Sequence, residues 1–179
     1  MTAIPAPVAR IARPMARLVT AAFWLLPPLI VAHVLAFPGT LANNPIIASA
    51  NLNTAHLSWQ ASGAVIVALM IVSAPTMWGL WELRRLFEGY SVGEIFTVGA
   101  ARRLRHCGFA VLLSAAKTGV GAVLLSLALS IDLPKGNRVL MISLSSDDIA
   151  WLLIGGILLV IARVMEEAAR LAEENAAFV

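Results

Sequence analysis

Four long apolar stretches divide the chain, and shorter polar segments join them. The stretches are Leu18–Phe37, Leu57–Trp81, Cys107–Ile131 and Ile149–Met165. The first two carry no charge, the third only Lys117, and the fourth only Arg163 near its end. A helix needs about 20 mainly apolar residues to cross roughly 30 Å of hydrocarbon. The strict polar–apolar alternation of a membrane barrel is absent. The pattern predicts an all-α fold, an integral membrane four-helix bundle forming a single domain over residues 1–179, with spans at about 18–37, 57–81, 107–131 and 149–165.

The connectors extend this picture. "WELRRLFEG" is rich in helix formers, so the second helix is expected to run on past the apolar stretch and stop at Gly89. "YSVGE" reads as a turn, and Thr97 is placed to cap the next helix without completing a capping box. Only scattered glycines interrupt Val98–Ile131, which predicts one helix of 34 residues, about 51 Å long. Segment 82–106 therefore reads as a helical hairpin standing on the membrane face. After the fourth stretch, "ARVMEEAARLAEEN" continues as helix into a tail, 166–179. Arg163–Glu167, Glu166–Arg170 and Arg170–Glu174 are spaced four apart, each pair contributing a few tenths of a kcal/mol. Val164, Met165, Ala168, Leu171 and Ala172 form the other face. This helix reads as a solvated element resting on the hairpin, or as a docking face for a soluble partner.

On the opposite side, "PGTLANNPIIASANLNTA" is uncharged and punctuated by Pro, Gly and Asn. It is expected to lie against the membrane or form a small lid. "DLPKGNRVLMISLSSDD" predicts a short strand at Val139–Leu144, then Ser145 with Asp148 as an N-cap signature. Small residues recur where helices must approach: Ser114, Thr118, Ala122 and Ser126, flanked by Gly119 and Gly121, and then Gly155 and Gly156. Pro27, Pro28 and Pro75 are expected to bend the first two spans.

Composition agrees with a bilayer. Hydrophobic residues make up 60% of the chain and charged residues 13%, against about half and a quarter in soluble domains. Mean hydropathy is +0.86. Direction follows from the basic residues, since Lys and Arg accumulate in cytoplasmic connectors. Arg10, Arg13, Arg17, Arg84, Arg85, Arg102, Arg103, Arg105, Arg163 and Arg170 lie on one side, against Lys135 and Arg138 on the other, ten against two. Both termini and the hairpin are therefore expected in the cytoplasm. The net charge of +3 does not point to direct nucleic-acid binding, because the arginines border apolar stretches. Arg84, Arg85, Arg102, Arg103 and Arg105 are the candidate contacts for anionic headgroups or a protein partner. A secretory signal ending at Val34–Ala36 is the rival reading of the first stretch; its spanning length and Pro38 argue for retention.

Little in the chain carries chemistry. Lys117, deep in a span with no acidic residue in any span to meet it, is the candidate intramembrane polar site. It reads as a snorkelling residue or as part of an ion or substrate site. His33 and His56 match no ligand spacing, His106 sits among arginines, and Cys107 reads as a packing residue open to acylation. No triad, phosphate loop or paired-carboxylate pattern is visible, so no enzyme, metal or cofactor is expected.

"LFEGYSVGEIFTVGAARRLRHCG", together with Leu171, Glu173, Glu174, Asn175 and Val179, resembles a bacterial family of small four-span membrane proteins of unknown function. The resemblance covers nearly the whole chain. It implies a regulatory or partner-holding role, because such proteins are often encoded beside a helix-turn-helix regulator, and it transfers no catalytic residue. Ala100 and Ala101 depart from the family, where a polar residue is common. Two functions follow as expectations. One is a non-enzymatic membrane protein contacting a cytoplasmic partner. The other is a small transporter or channel-like subunit acting as a homo-oligomer.

Overall fold

A computed structural model of the chain describes residues 6–37, 58–132, 140, 142 and 145–176. The described residues form five α-helices in the order α1 (Ala6–Ala36), α2 (Trp59–Ser91), α3 (Val98–Ala115), α4 (Lys117–Leu129) and α5 (Ser146–Ala176). Helix α1, α2 and α5 are each long and apolar enough to cross a membrane; α3 and α4 pass the same test as a bent pair, making up to four spans. Only 6 to 17% of each long helix's apolar window is buried. Leu29, Leu153 and Val160, among others, point outward, as expected where lipid replaces water as solvent. The segment 38–57, with His56, and the strand expected at Val139–Leu144 lie outside the described residues, apart from Leu140 and Ile142, which are in no strand.

The continuous helix expected over Val98–Ile131 is not formed. A one-residue break at Ala116 divides it, and α4 ends at Leu129. Locally the break is inexpensive, because Gly119 and Gly121 weaken helix propensity just beyond it. A tertiary bond lies next to it, from the Thr118 hydroxyl to the Asp148 carboxylate at 2.7 Å. Helix α2 also outruns its expected stop at Gly89. It continues to Ser91, and Gly93 makes the turn at φ 93°, a left-handed conformation that favours glycine. Thr97 caps α3 as expected, its hydroxyl accepting from the Ala100 amide at 3.1 Å. Both α1 and α2 stay helical through Pro27, Pro28 and Pro75.

The described chain divides into two compact units. The first comprises Met1–Trp24, Pro75–Ala115 and Ile149–Val179, and the second Leu25–Ala74 and Ala116–Asp148. In the second unit, Val34 of α1, Val65 and Ala68 of α2, and Leu125, Ala128 and Leu129 of α4 form a buried cluster. The seam of small residues expected on the third span is buried at Ser114, Ala122 and Ser126, with Thr118 half-buried. The hydroxyls of Ser114 and Ser126 return to backbone carbonyls of their own helices, which satisfies them without water.

A clasp holds two helix ends of this unit together. Ser58 caps α2, its hydroxyl accepting from the Ala61 amide at 3.1 Å. The Ser58 hydroxyl also donates to Asp132 Oδ1 at 2.5 Å, and its amide donates to Asp132 Oδ2 at 2.8 Å. The hydroxyl first, and then the amide, hold the Asp132 carboxyl below its ordinary range. Its stabilisation is thus complete above the unfolded-state value of about 3.9 and is lost as the pH falls through the lower folded value. Asp132→Asn is expected to remove this acid-side dependence from a thermal-unfolding series in detergent. Ser58→Ala, which deletes the cap as well, is expected to cost about 1 kcal/mol at neutral pH.

Candidate functional site

The candidate site is the arginine-rich end of the first unit, built on the turn between α2 and α3. The two helices form an antiparallel hairpin whose contacts step along both: Gly79 to Ala110, Glu82 to His106, and Arg85 to Arg103. A Cβ on Gly79 would lie 3.0 Å from that of Ala110, so a glycine there is what allows the close approach. Cys107 packs beside it, buried, with Sγ 3.9 Å from the Gly79 carbonyl oxygen. Ala100 and Ala101 are buried as well. Both alanines therefore face inward.

Helix α5 packs on α3 through reciprocal glycine–leucine contacts. A Cβ on Gly155 would lie 2.7 Å from Leu112 side-chain atoms, and one on Gly108 would lie 2.8 Å from Leu159. Of the expected glycines, Gly155 is thus a packing residue, whereas Gly156 faces open space. Gly108 carried no signal beyond being small. Helix α1 meets α2 where the Phe23 ring lies 5.7 Å from that of Trp81.

These contacts gather the arginines. Arg10, Arg13 and Arg17 precede Phe23 in α1, while Arg84 and Arg85 follow Trp81 in the opposite direction. Arg102, Arg103 and Arg105 lie level with them on α3, and Arg163 and Arg170 lie beyond the Gly155 and Leu159 contacts on α5. All ten fall in the first unit, whereas Lys117 falls in the second; Lys135 and Arg138 lie outside the described residues.

The five hairpin arginines differ in their partners. Arg84 pairs with Glu88 at 2.7 Å, and Arg105 reaches Glu166 at 3.5 Å. Arg103 donates to the Arg85 carbonyl oxygen at 2.6 Å. The Arg84 and Arg85 guanidinium carbons lie 5.4 and 5.1 Å from the Trp81 ring centroid. Arg102 is exposed. On α5 the ion pairs correct two of the three expected spacings. Arg163 meets Glu166 and Arg170 meets Glu167, three apart, while Arg170–Glu174 is four apart as expected. Glu166 is the reason: shared between Arg105 and Arg163, it is turned toward α3 and away from Arg170. The apolar face foreseen for the tail is largely exposed at Val164, Ala168, Leu171 and Ala172, while Ala162 and Ala169 are the buried residues.

Two buried acidic residues lie inside the long helices, each one position outside the apolar stretches 57–81 and 149–165. Glu82 of α2 is buried, with one carboxylate oxygen 3.5 Å from His106 Nδ1. Asp148, in the first turn of α5, is buried in the second unit. It accepts from the Ser145 amide at 2.9 Å, the expected cap, and from the Thr118 hydroxyl. Lys117 acts on it electrostatically. Lys117 is therefore not in mid-helix: it begins α4 at the break. His33 is exposed and lies near Phe37, with ring centroids 6.2 Å apart.

Residues 19–179 match a family model described as "Protein of unknown function (DUF2975)", and the chain belongs to that family. No curated protein and no solved structure matches it.

Proposed function

We propose that this member of the DUF2975 family crosses a bacterial inner membrane four times as a four-helix bundle, with both ends in the cytoplasm. It acts there without enzymatic chemistry, holding or regulating a soluble partner such as a helix-turn-helix transcriptional regulator. The observation that carries the reading is the gathering of ten arginines in the first unit, a distribution typical of cytoplasmic faces. The partner surface is the hairpin with the α5 tail. Past the Arg105–Glu166 link, α5 continues to Ala176 with Leu171 exposed among Glu167, Glu173 and Glu174. An outward leucine in an acidic setting suits a soluble protein better than a bilayer.

A photo-crosslinker in place of Ala172, on native membranes, tests this. It is expected to capture a cytoplasmic regulator that a Leu171→Glu change releases. No capture, or capture indifferent to Leu171→Glu, removes the partner reading. A small transporter or channel-like subunit is the second reading, favoured by the Lys117, Thr118 and Asp148 cluster beside the break at Ala116. Failure of capture, combined with liposome flux that Lys117→Ala abolishes, would establish that reading instead.

A further inference from the structure

We infer that the helices are hinged where the chain passes between its two compact units, and that the Thr118–Asp148 hydrogen bond hands this movement to α5, regulating the partner surface on its tail. The role given to the tail rests on the proposed reading; the hinge stands without it. The chain passes from one unit to the other at 24/25, 74/75, 115/116 and 148/149. Each passage coincides with a weak point in a helical ladder. In α2 it falls at Pro75, whose missing amide leaves the Ile71 carbonyl without its helical donor. Nearby, the Ser73 hydroxyl donates to the Met70 carbonyl at 3.0 Å, a side-chain competitor for the same ladder. In α1 it falls at the carbonyls of Phe23 and Trp24, which Pro27 and Pro28 leave without helical donors. Between α3 and α4 it falls at the break at Ala116, where the helices bend by 51° and no side chain caps α4. The fourth passage is the first turn of α5. Helices bend at prolines and breaks in preference to elsewhere, and a hinge is a few such residues absorbing the change.

Within the second unit, one side-chain bond ties α4 to the start of α5. Thr118 donates to Asp148 Oδ1 at 2.7 Å, and the buried carboxylate also accepts from the Ser145 amide at 2.9 Å. Lys117, the first residue of α4, adds an electrostatic attraction. From Ile149 onward α5 is a single helix to Ala176 without a proline. An α4 that turns about Ala116 therefore takes the start of α5 with it, and the rest of α5 follows as a rod. The exposed Leu171 rides on that rod.

The test is hydrogen exchange of the purified full chain in detergent, read by mass spectrometry, together with crosslinking from position 172 in native membranes. Pro75→Ala restores one ladder bond, which should slow exchange about fivefold around Pro75 and, because the links move together, around Ala116 as well. Thr118→Val removes a bond to a carboxylate and should speed exchange in the first turn of α5 about tenfold. It should also reduce capture from position 172. Ser126→Ala, whose hydroxyl bonds only a carbonyl of its own helix, should do neither. If Pro75→Ala does not fold, Gly121→Ala serves instead. Its Cβ would sit 3.6 Å from Val72, an ordinary contact, and the stiffer α4 should slow exchange around both Ala116 and Pro75. Slowing confined to the substituted helix overturns the hinge, and a Thr118→Val response no larger than that of Ser126→Ala overturns the latch. Capture that Thr118→Val leaves unchanged sinks the regulation. Responsive exchange without any capture removes the partner and leaves the hinge, whereas capture with unresponsive exchange does the reverse.

Discussion

A Gly155→Val protein is expected to lose roughly 1–3 kcal/mol of stability, while Gly156→Ala, one residue along, gains up to about 1 kcal/mol. The opposite signs come from the α3–α5 contact. A Cβ at 155 would sit 2.7 Å from two Leu112 side-chain carbons and 3.0 Å from the Leu112 backbone nitrogen. The leucine tip can rotate aside, but the backbone nitrogen moves only if the helices separate. Separation also draws Leu159 away from Gly108, the reciprocal half of the same contact. In lipid, where no hydrophobic force pulls helices together, such close approach is a main source of association. At 156 there is no atom within 4 Å, so alanine simply improves helix propensity. Denaturant titration in micelles, followed by circular dichroism, measures both. Equal losses at the two positions would show that α3 and α5 do not meet in this way.

Removing arginines is expected to change the direction of the whole chain, though only past a threshold. Neutralising Arg84, Arg85, Arg102, Arg103 and Arg105 takes the ten on the arginine-rich side to five, against Lys135 and Arg138 on the other. Five against two still favours the original sense. Replacing Arg10, Arg13 and Arg17 as well leaves two against two (Arg163 and Arg170 remaining), and the bias disappears. A Val92→Cys reporter in a Cys107→Ala background, labelled with an impermeant maleimide, should stay inside in the fivefold variant and become mixed in the eightfold one. Val92 is exposed in the turn, so the reagent reaches it wherever the turn lies. Outside labelling of the parent protein would refute the cytoplasmic hairpin at once.

The readable part of this protein is the part governed by solvation. Leu18–Phe37 and Leu57–Trp81 announced helices because an unpaired peptide group in hydrocarbon is costly whatever its neighbours do. Thr97 and the Ser145–Asp148 pair were legible as caps, since a cap is a contact across three residues. The hairpin was legible too, though not its turn: Gly89 and Gly93 look alike in sequence, and only the backbone distinguishes the one at φ 93°. The candidate arginines were visible by type but not by state. Nothing in "RRLFEGYSVGEIFTVGAARRLR" tells that Arg105 finds a carboxylate 61 positions away while Arg103 donates to the Arg85 carbonyl.

By itself, then, the sequence determined which segments are helical and apolar enough to span a membrane, and in which connectors the arginines collect. Those outcomes are sums of single-residue transfer costs between water and oil, and a sum does not depend on who touches whom. The tertiary structure alone decided the interruption at Ala116, the pairing of Glu166 with Arg105, the meeting of Thr118 with Asp148, and which of two adjacent glycines carries a packing contact. Each of these depends on a distance of a few ångströms between residues remote in the chain, and short-range repulsion and hydrogen bonding act only once that distance is set.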